Sequence, residues 1–345
     1  MDCKGTKKRK KNKINEFVFP PATHVFIFQN LYIDTYAKEK QNEVWLFKQL
    51  FIPLPTPKTG EQTMKKGLVL EGGAMRGLFT AGICDVMMEH NVWPDGLIGV
   101  SAGAAFGCNY KSRQPGRAIR YNMRFARDSR YSGTKSLLST GNYFNADFAY
   151  HIVPQTYDKF DDEAFQNNPM EFYVVCTDVS NGKAVYKKLE NADADSYDWI
   201  RASASMPLVS RCVELEGYKL LDGGVTDSIP LERFEQLGYQ RNVVILTQPD
   251  GYLKQRSHLM PFIKIALRKH PAMIKAMAKR PEIYNAELEY VRNAEREGRC
   301  LVIRPEKKIP IGHVSHNPDQ MKLVYDMGRK AGEDRIAAIK DFYAQ

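Results

Sequence analysis

The stretch 67–103, GLVLEGGAMRGLFTAGICDVMMEHNVWPDGLIGVSAG, decides the fold. Leu68-Val69-Leu70 is a short apolar run of the kind that forms a buried strand. Glu71-Gly72-Gly73-Ala74-Met75-Arg76-Gly77 comes next, a loop whose small residues bring backbone rather than side chains to whatever it faces. Residues 78–90 then carry Phe79, Ile83, Val86 and Met87 at helical spacing, which predicts an amphipathic helix. A second apolar run, Leu97-Ile98-Gly99-Val100, leads straight into Ser101. The order is strand, glycine-rich loop, helix, strand, and then G-x-S-x-G (Gly99, Ser101, Gly103) opening another helix. Such a unit belongs to an α/β sheet of mainly parallel strands.

Each half of this unit has a chemical reading. Glycines on both sides of Ser101 permit the strained strand-to-helix turn that lifts a serine hydroxyl clear of a sheet. The helix beginning at Ala102 brings the positive end of its dipole to the same place. The Gly72-Gly73-Ala74 loop lies at the carboxyl end of a strand, where open α/β sheets bind ligands. Its amides are candidates to hold the oxyanion of an acyl transfer. Taken alone, each motif is short: G-x-S-x-G also occurs in plain loops, and a glycine-rich loop also suits a nucleotide. This one lacks the middle glycine of G-x-G-x-x-G and the Gly-Lys-Ser/Thr ending of a P-loop. The two motifs in this order are far more specific than either.

A nucleophilic serine needs a base. None of the seven histidines stands in a recognisable strand-end context. Leu220-Leu221-Asp222-Gly223-Gly224-Val225 instead puts a carboxylate at the end of an apolar run. Asp222 takes the serine proton directly if it lies within about 3 Å of the hydroxyl; the same tripeptide equally suits a hairpin turn.

Taken in order, Gly72-Gly73-Ala74-Met75-Arg76-Gly77, Gly99-Val100-Ser101-Ala102-Gly103 and Asp222-Gly223-Gly224 resemble the patatin-like phospholipases. Arg201-Ala202-Ser203-Ala204-Ser205-Met206-Pro207 and Ile229-Pro230-Leu231 look like the same family, so the resemblance covers residues 66–250. It implies a three-layer α/β/α fold with a mainly parallel central sheet. It also implies a Ser–Asp dyad that hydrolyses acyl esters of phospholipids or related lipids. Ser101 is then the nucleophile and Asp222 the proton acceptor. Gly72, Gly73, Ala74 and Arg76 form the oxyanion hole, and Gly77, Gly99, Gly103, Gly223 and Gly224 are motif positions. No metal or other cofactor is implied. One departure is Ala74, where the family's loop commonly has glycine; a methyl group is tolerable there only at negative φ. Two other functions stay open. One is an α/β-hydrolase esterase with Ser101, Asp222 and His313 or His316 as a triad, in the chain order such enzymes use. The other is a lipid-binding regulatory protein without turnover.

Composition bounds the rest. The length of 345 residues suits one large α/β domain with an appendage or two small domains, and 43 % hydrophobic residues are enough for a core. The six cysteines show no C-x-x-C spacing and lie mostly in apolar runs, which reads as free thiols in a reducing compartment. No apolar run approaches the ~20 residues of a transmembrane helix. No charged segment leads directly into an apolar one, as in a signal peptide. These features point to a soluble cytoplasmic protein. Residues 1–63 differ from the remainder: 7–13 are nearly all basic, and prolines punctuate 20–57. The expectation is a poorly ordered, dispensable extension ahead of a catalytic domain at 64–250, so that a chain beginning at Met64 stays soluble and active.

Within that domain, 137–150 reads as a loop whose Tyr143, Phe144, Phe148 and Tyr150 suit either a core or an acyl-chain groove. Glu171-Phe172-Tyr173-Val174-Val175-Cys176-Thr177-Asp178 reads as a central parallel strand. Residues 251–345 read as a mainly helical region packing on the domain. Between 254 and 280 it holds eight lysines and arginines and no acidic residue, interleaved with leucine, isoleucine, methionine and phenylalanine. That mixture suits a helix lying on an anionic membrane surface. It equally suits two helices packed on the core with solvated lysines. The net charge of +10 favours anionic interfaces, with peripheral contact at the inner membrane face. Nucleic acid is not an expected partner, and the oligomeric state stays open.

Overall fold

The computed structural model describes residues 64–345, so the expected extension at 1–63 lies outside the described residues. In β1 (Lys65–Leu70), Leu68 and Leu70 pack into one apolar cluster and Val69 into another. The division repeats in β2 (Gly96–Val100), where Leu97 joins the first cluster and Ile98 and Val100 the second. Side chains alternate along a strand, so a sheet that is apolar on both faces must be covered on both.

The cover comes from the helices. α1 (Gly77–Glu89) joins β1 to β2, and α2 (Ala102–Lys111) starts directly after Ser101. Next come α3 (Arg117–Phe125), α4 (Thr134–Thr140), a wide π-type helical segment (Phe148–Tyr157) and α5 (Asp162–Asn167). β3 (Glu171–Asp178), β4 (Lys183–Leu189), α6 (Ala194–Ser203), β5 (Val213–Leu215) and β6 (Tyr218–Asp222) succeed them. Then come α7 (Leu231–Gln236), β7 (Tyr239–Ile245), α8 (Met260–Ala266), α9 (Pro271–Arg296), β8 (Cys300–Ile303) and α10 (Pro318–Ala344). The strands make one sheet in the order β5-β6-β3-β2-β1-β7-β8, with β4 also on β3. From β3 to β8 the pairing is parallel; β4, β5 and β6 are antiparallel. α1, α2 and α10 cover one face, α7 and α9 the other, giving three α/β/α layers and a helical C-terminal region.

β3 sets the position of the site. β4 occupies one edge of it from Phe172 to Asp178. The other edge is divided, with β2 along Glu171 to Val175 and β6 along Cys176 to Asp178. Val100 therefore pairs with Val175, and Asp222 with the next residue, Cys176. Segments 121 residues apart thus arrive side by side, the chain leaving β2 at Ser101 and the end of β6 at Asp222.

Several expectations are revised. α1 is not amphipathic: Gly77 to Met88 are all buried, because α10 lies across the face that the sheet leaves free. β3 is parallel to β2 only and antiparallel to its other two partners. The segment 137–150 is partly helical, and its aromatics divide. Phe148 packs with Phe125 and Tyr131 in a local core, whereas Phe144 and Tyr150 line a cavity beside Ser101. The basic segment ends in one 26-residue helix that runs through Pro281. Pro281 lacks the N–H of a helical hydrogen bond, but burial of Met273 and Ala276 before it and Tyr284 and Leu288 after it holds the helix together. Among the described residues, no helix is long and apolar enough to cross a membrane.

Candidate active site

Ser101 caps α2 with φ 55° and ψ −119°. A non-glycine residue held there costs about 1–3 kcal/mol and persists only when its surroundings over-determine it. Two features do so. The Ser101 N–H donates to Ser203 Oγ at 2.8 Å, and the Ser203 hydroxyl donates to the Val175 carbonyl at 2.6 Å. Gly103 lets α2 approach β1: a Cβ on it would stand 2.4 Å from the Leu70 carbonyl oxygen. In this turn the Ser101 hydroxyl donates to Asp222 Oδ2 at 2.7 Å, and both residues are buried.

Asp222 is held as firmly. Its N–H donates to the Ser205 carbonyl (2.8 Å), and its Oδ1 accepts from the Gly224 N–H (2.8 Å). Gly223 permits the contact with β3, since a Cβ there would come within 2.2 Å of the Val175 carbonyl oxygen. Burial raises the carboxyl pKa above its ordinary value, opposed first by the charge of Arg280 and then by the hydrogen bonds from Ser101 and Gly224.

The glycine-rich loop faces the same point: a Cβ on Gly72 would lie 3.1 Å from Ser101 Cβ. Glu71 anchors the loop, accepting from the Thr247 N–H, the Thr247 hydroxyl (3.1 Å) and the Tyr284 hydroxyl (2.6 Å). Among the described residues the amides of Gly72, Gly73 and Ala74 donate to no protein acceptor. The Arg76 amide is already committed to the Gly73 carbonyl (3.1 Å), and its guanidinium Nη1 reaches His313 Nε2 (3.4 Å).

The requirement for negative φ at Ala74 is not met, because this residue sits at φ 49°. The bond from Arg76 to Gly73 and another from the Met75 N–H to the His313 carbonyl (3.4 Å) tie the turn into that shape around a small methyl group. Left-handed geometry costs an L-residue about 1–2 kcal/mol, and glycine returns part of that as unfolded-chain entropy. Ala74→Gly is expected to raise the unfolding free energy by up to about 1 kcal/mol in urea titration.

Beside Ser101 opens a cavity of about 110 Å³ whose wall includes Ala102, Ala105, Phe106, Phe144, Tyr150 and Met206. The walls are mainly apolar, with Arg117, Asn122 and tyrosines among them, and next to the Ser101 hydroxyl they suit a hydrocarbon chain attached to a reacting carbonyl. The two histidines of the triad reading lie elsewhere: His316 bonds the Ala126 carbonyl and the Tyr143 hydroxyl, and His313 meets Arg76. Neither hydrogen-bonds Ser101 or Asp222 among the described residues. Sequence reasoning passed over Ser203, although it stands in the Arg201–Pro207 motif, and over Lys254 and Arg280, which carry no motif.

Residues 68–234 match the model of the patatin-like phospholipase family. That segment is a patatin-like phospholipase domain. Residues 270–344 match a second model, described as a domain of unknown function (DUF6363). Arg280 and Tyr284 therefore reach the patatin-like site from that second segment. YjjU of Escherichia coli K12 is 33 % identical over 199 residues, which cover 53 % of this chain and 52 % of YjjU. Lysophospholipase nte1 of Aspergillus niger is 29 % identical over 185 residues, 50 % of this chain and 11 % of that protein. This chain thus spans about half the length of the first relative and about a tenth of the second. Among solved structures, VipD from Legionella pneumophila aligns with a TM-score of 0.41 at 10 % identity, over 80 % of this chain and 67 % of VipD.

Proposed function

We propose that this chain is a serine lipid acyl hydrolase working through a Ser101–Asp222 dyad. The observation that carries the reading is the 2.7 Å hydrogen bond from the Ser101 hydroxyl to Asp222 Oδ2, next to loop amides that donate to nothing else in the described protein. Ser101 Oγ attacks the ester carbonyl while its proton passes to Asp222 Oδ2. The amides of Gly72, Gly73 and Ala74 hold the resulting oxyanion. Collapse of the intermediate expels the alcohol, which takes the proton back from Asp222, and leaves the acyl chain on Ser101 beside the apolar cavity. Water then attacks the acyl ester as Asp222 accepts its proton, and the fatty acid leaves with Ser101 restored. Hydrolysis of a short p-nitrophenyl ester series tests this. The expected result is turnover by the wild type and none above background by Ser101→Ala; an inactive wild type on every ester overturns it.

Membrane docking belongs to the same reading. Leu253, Leu259, Phe262 and Ile265 are each more than half exposed, and Lys264, Arg268 and Lys269 stand exposed among them. An apolar face ringed by lysine and arginine is what peripheral binding to an anionic bilayer requires. Burying one such side chain contributes about 1.5–3 kcal/mol. Phe262→Glu should therefore weaken sedimentation with phosphatidylglycerol vesicles by about 10- to 100-fold. Undiminished binding by that variant would exclude this face.

A further inference from the structure

The cavity that starts at Ser101 also has polar walls, which the hydrolysis does not use. Arg117, Tyr121 and Asn122 share one face of α3, at i, i+4 and i+5, and all three line the cavity. Arg117 and Asn122 are buried. A guanidinium carries five N–H groups, and three of those on Arg117 are engaged. Nε (3.1 Å) and Nη2 (2.7 Å) donate to the Asp158 carbonyl, and Nη1 (2.7 Å) donates to Asn109 Oδ1. One N–H on Nη1 and one on Nη2 meet no acceptor among the described residues. The guanidinium carbon stands 5.3 Å from the centre of the Tyr121 ring and 5.1 Å from that of Phe160, another wall of the same cavity. Tyr131 and Asn122 satisfy each other, the tyrosine hydroxyl donating to Asn122 Oδ1 at 3.3 Å. The Tyr121 hydroxyl has no hydrogen-bond partner among the described residues.

Polar groups withdrawn from water need partners, so two N–H groups and a hydroxyl on one cavity call for an occupant that bears oxygen. Asp158 decides its charge. Asp158 Oδ1 lies 3.6 Å from Arg117 Nε, and its two oxygens also accept from Arg120 at 2.7 and 2.8 Å. Arg117 therefore already has a counter-charge. A carboxylate carried into the cavity would have to be desolvated without a cation of its own. A hydroxyl brings no charge, accepts from Arg117 and exchanges a hydrogen bond with Tyr121. Burial raises the pKa of the Tyr121 and Tyr131 hydroxyls well above the ordinary value, so both remain protonated.

α2 gives the distance between this polar wall and the reacting end. Ser101 caps the start of α2, and Asn109, which holds Arg117, lies near its other end. A rise of 1.5 Å per residue separates the two by about 12 Å. A zigzag hydrocarbon with bonds of about 1.5 Å covers that span in about ten carbons. We propose that Arg117 and Tyr121 form a subsite for a hydroxyl carried on the acyl chain, about ten carbons from the ester carbonyl at Ser101. The proposal rests on the hydrolase reading above and adds the class of acyl chain that the cavity selects.

Two isomeric substrates test it: the p-nitrophenyl esters of 10-hydroxydecanoic and 3-hydroxydecanoic acid, which differ only in where the hydroxyl stands. The wild type should prefer the 10-hydroxy isomer in kcat/KM by about 10-fold or more, the effect of hydrogen bonds from a charged donor. Tyr121→Phe keeps the ring against Arg117 and should reduce that preference by about 3- to 10-fold, mainly through KM. Arg117→Gln should abolish it. If Arg117→Gln fails to fold, Tyr121→Phe alone decides. No preference in the wild type, or an unchanged one in Tyr121→Phe, would mean that the polar wall holds water only and would overturn the subsite. The mono-p-nitrophenyl ester of decanedioic acid is the third arm, since it puts a carboxylate at the same distance. Its preference over the 10-hydroxy isomer would make the wall an anion site and overturn the assignment to a hydroxyl. Binding of the methyl esters of the two hydroxy acids to Ser101→Ala protein, by titration calorimetry, needs no turnover. Should the wild type hydrolyse none of the esters, the hydrolase reading falls. The subsite then stands only if Ser101→Ala protein binds methyl 10-hydroxydecanoate more tightly than its isomer and loses that difference with Tyr121→Phe.

Discussion

Asp222→Asn should lower kcat on a p-nitrophenyl ester by at least about 10^3-fold while leaving the fold intact, the loss expected when a direct general base is removed. The amide has the shape of the carboxylate, so it still accepts from the Gly224 N–H, which lies 2.8 Å from Oδ1. It cannot take the proton of Ser101. Stability should move the other way. Burial holds the Asp222 pKa above its ordinary value, so folding favours the protonated form. The stability linked to this group is present at low pH and is lost as pH rises through the folded-state pKa. A neutral side chain escapes that loss, and at pH 7 Asp222→Asn should unfold at no lower urea concentration than the wild type. The same shift sets the acid limb of activity: kcat/KM should fall as pH drops through a value above that of a free aspartate. An active and less stable Asp222→Asn would remove Asp222 from the chemistry.

How far such a site can be read from sequence depends on the range over which it is encoded. The glycine loop, the turn at Ser101 and the Asp-Gly-Gly end of β6 are each specified by a handful of adjacent residues, because close backbone approach demands glycine locally. Their meeting is set by the division of one edge of β3, which local spacing expresses only as strand order. The positive φ of Ala74 was illegible, since it depends on a hydrogen bond from Met75 to His313, far along the chain. Lys254 and Arg280 were legible as charges but not as part of the site, because their place follows from how α9 crosses the second apolar face. The helical turn at 148–150 was hidden because closely spaced aromatics carry no clean period.

Gly328→Val should be the most damaging substitution outside the site, and it tests whether α10 is integral to it. α1 and α10 meet backbone to backbone. A Cβ on Gly328 would stand 2.0 Å from the Phe79 carbonyl oxygen, and one on Gly82 would stand 2.3 Å from that of Tyr325. No rotamer relieves a clash with main chain, so the helices must separate. Separation also strains the Tyr325 hydroxyl bond to Asp85 (2.5 Å) and the Arg329–Glu89 pair (2.7 Å). Overpacking and lost contacts together should reduce the unfolding free energy by about 3 kcal/mol or more. Gly312→Ala, where the nearest atom to a new Cβ is the Val314 carbonyl oxygen at 3.9 Å, should change it by less than about 0.5 kcal/mol. Because α1 opens with the turn that ends the Gly72–Ala74 loop, the valine variant should lose ester hydrolysis even at temperatures where it remains folded. Wild-type unfolding and activity for Gly328→Val would mean that α10 is a separable appendage and that the loop geometry is held by β1 and β7 alone.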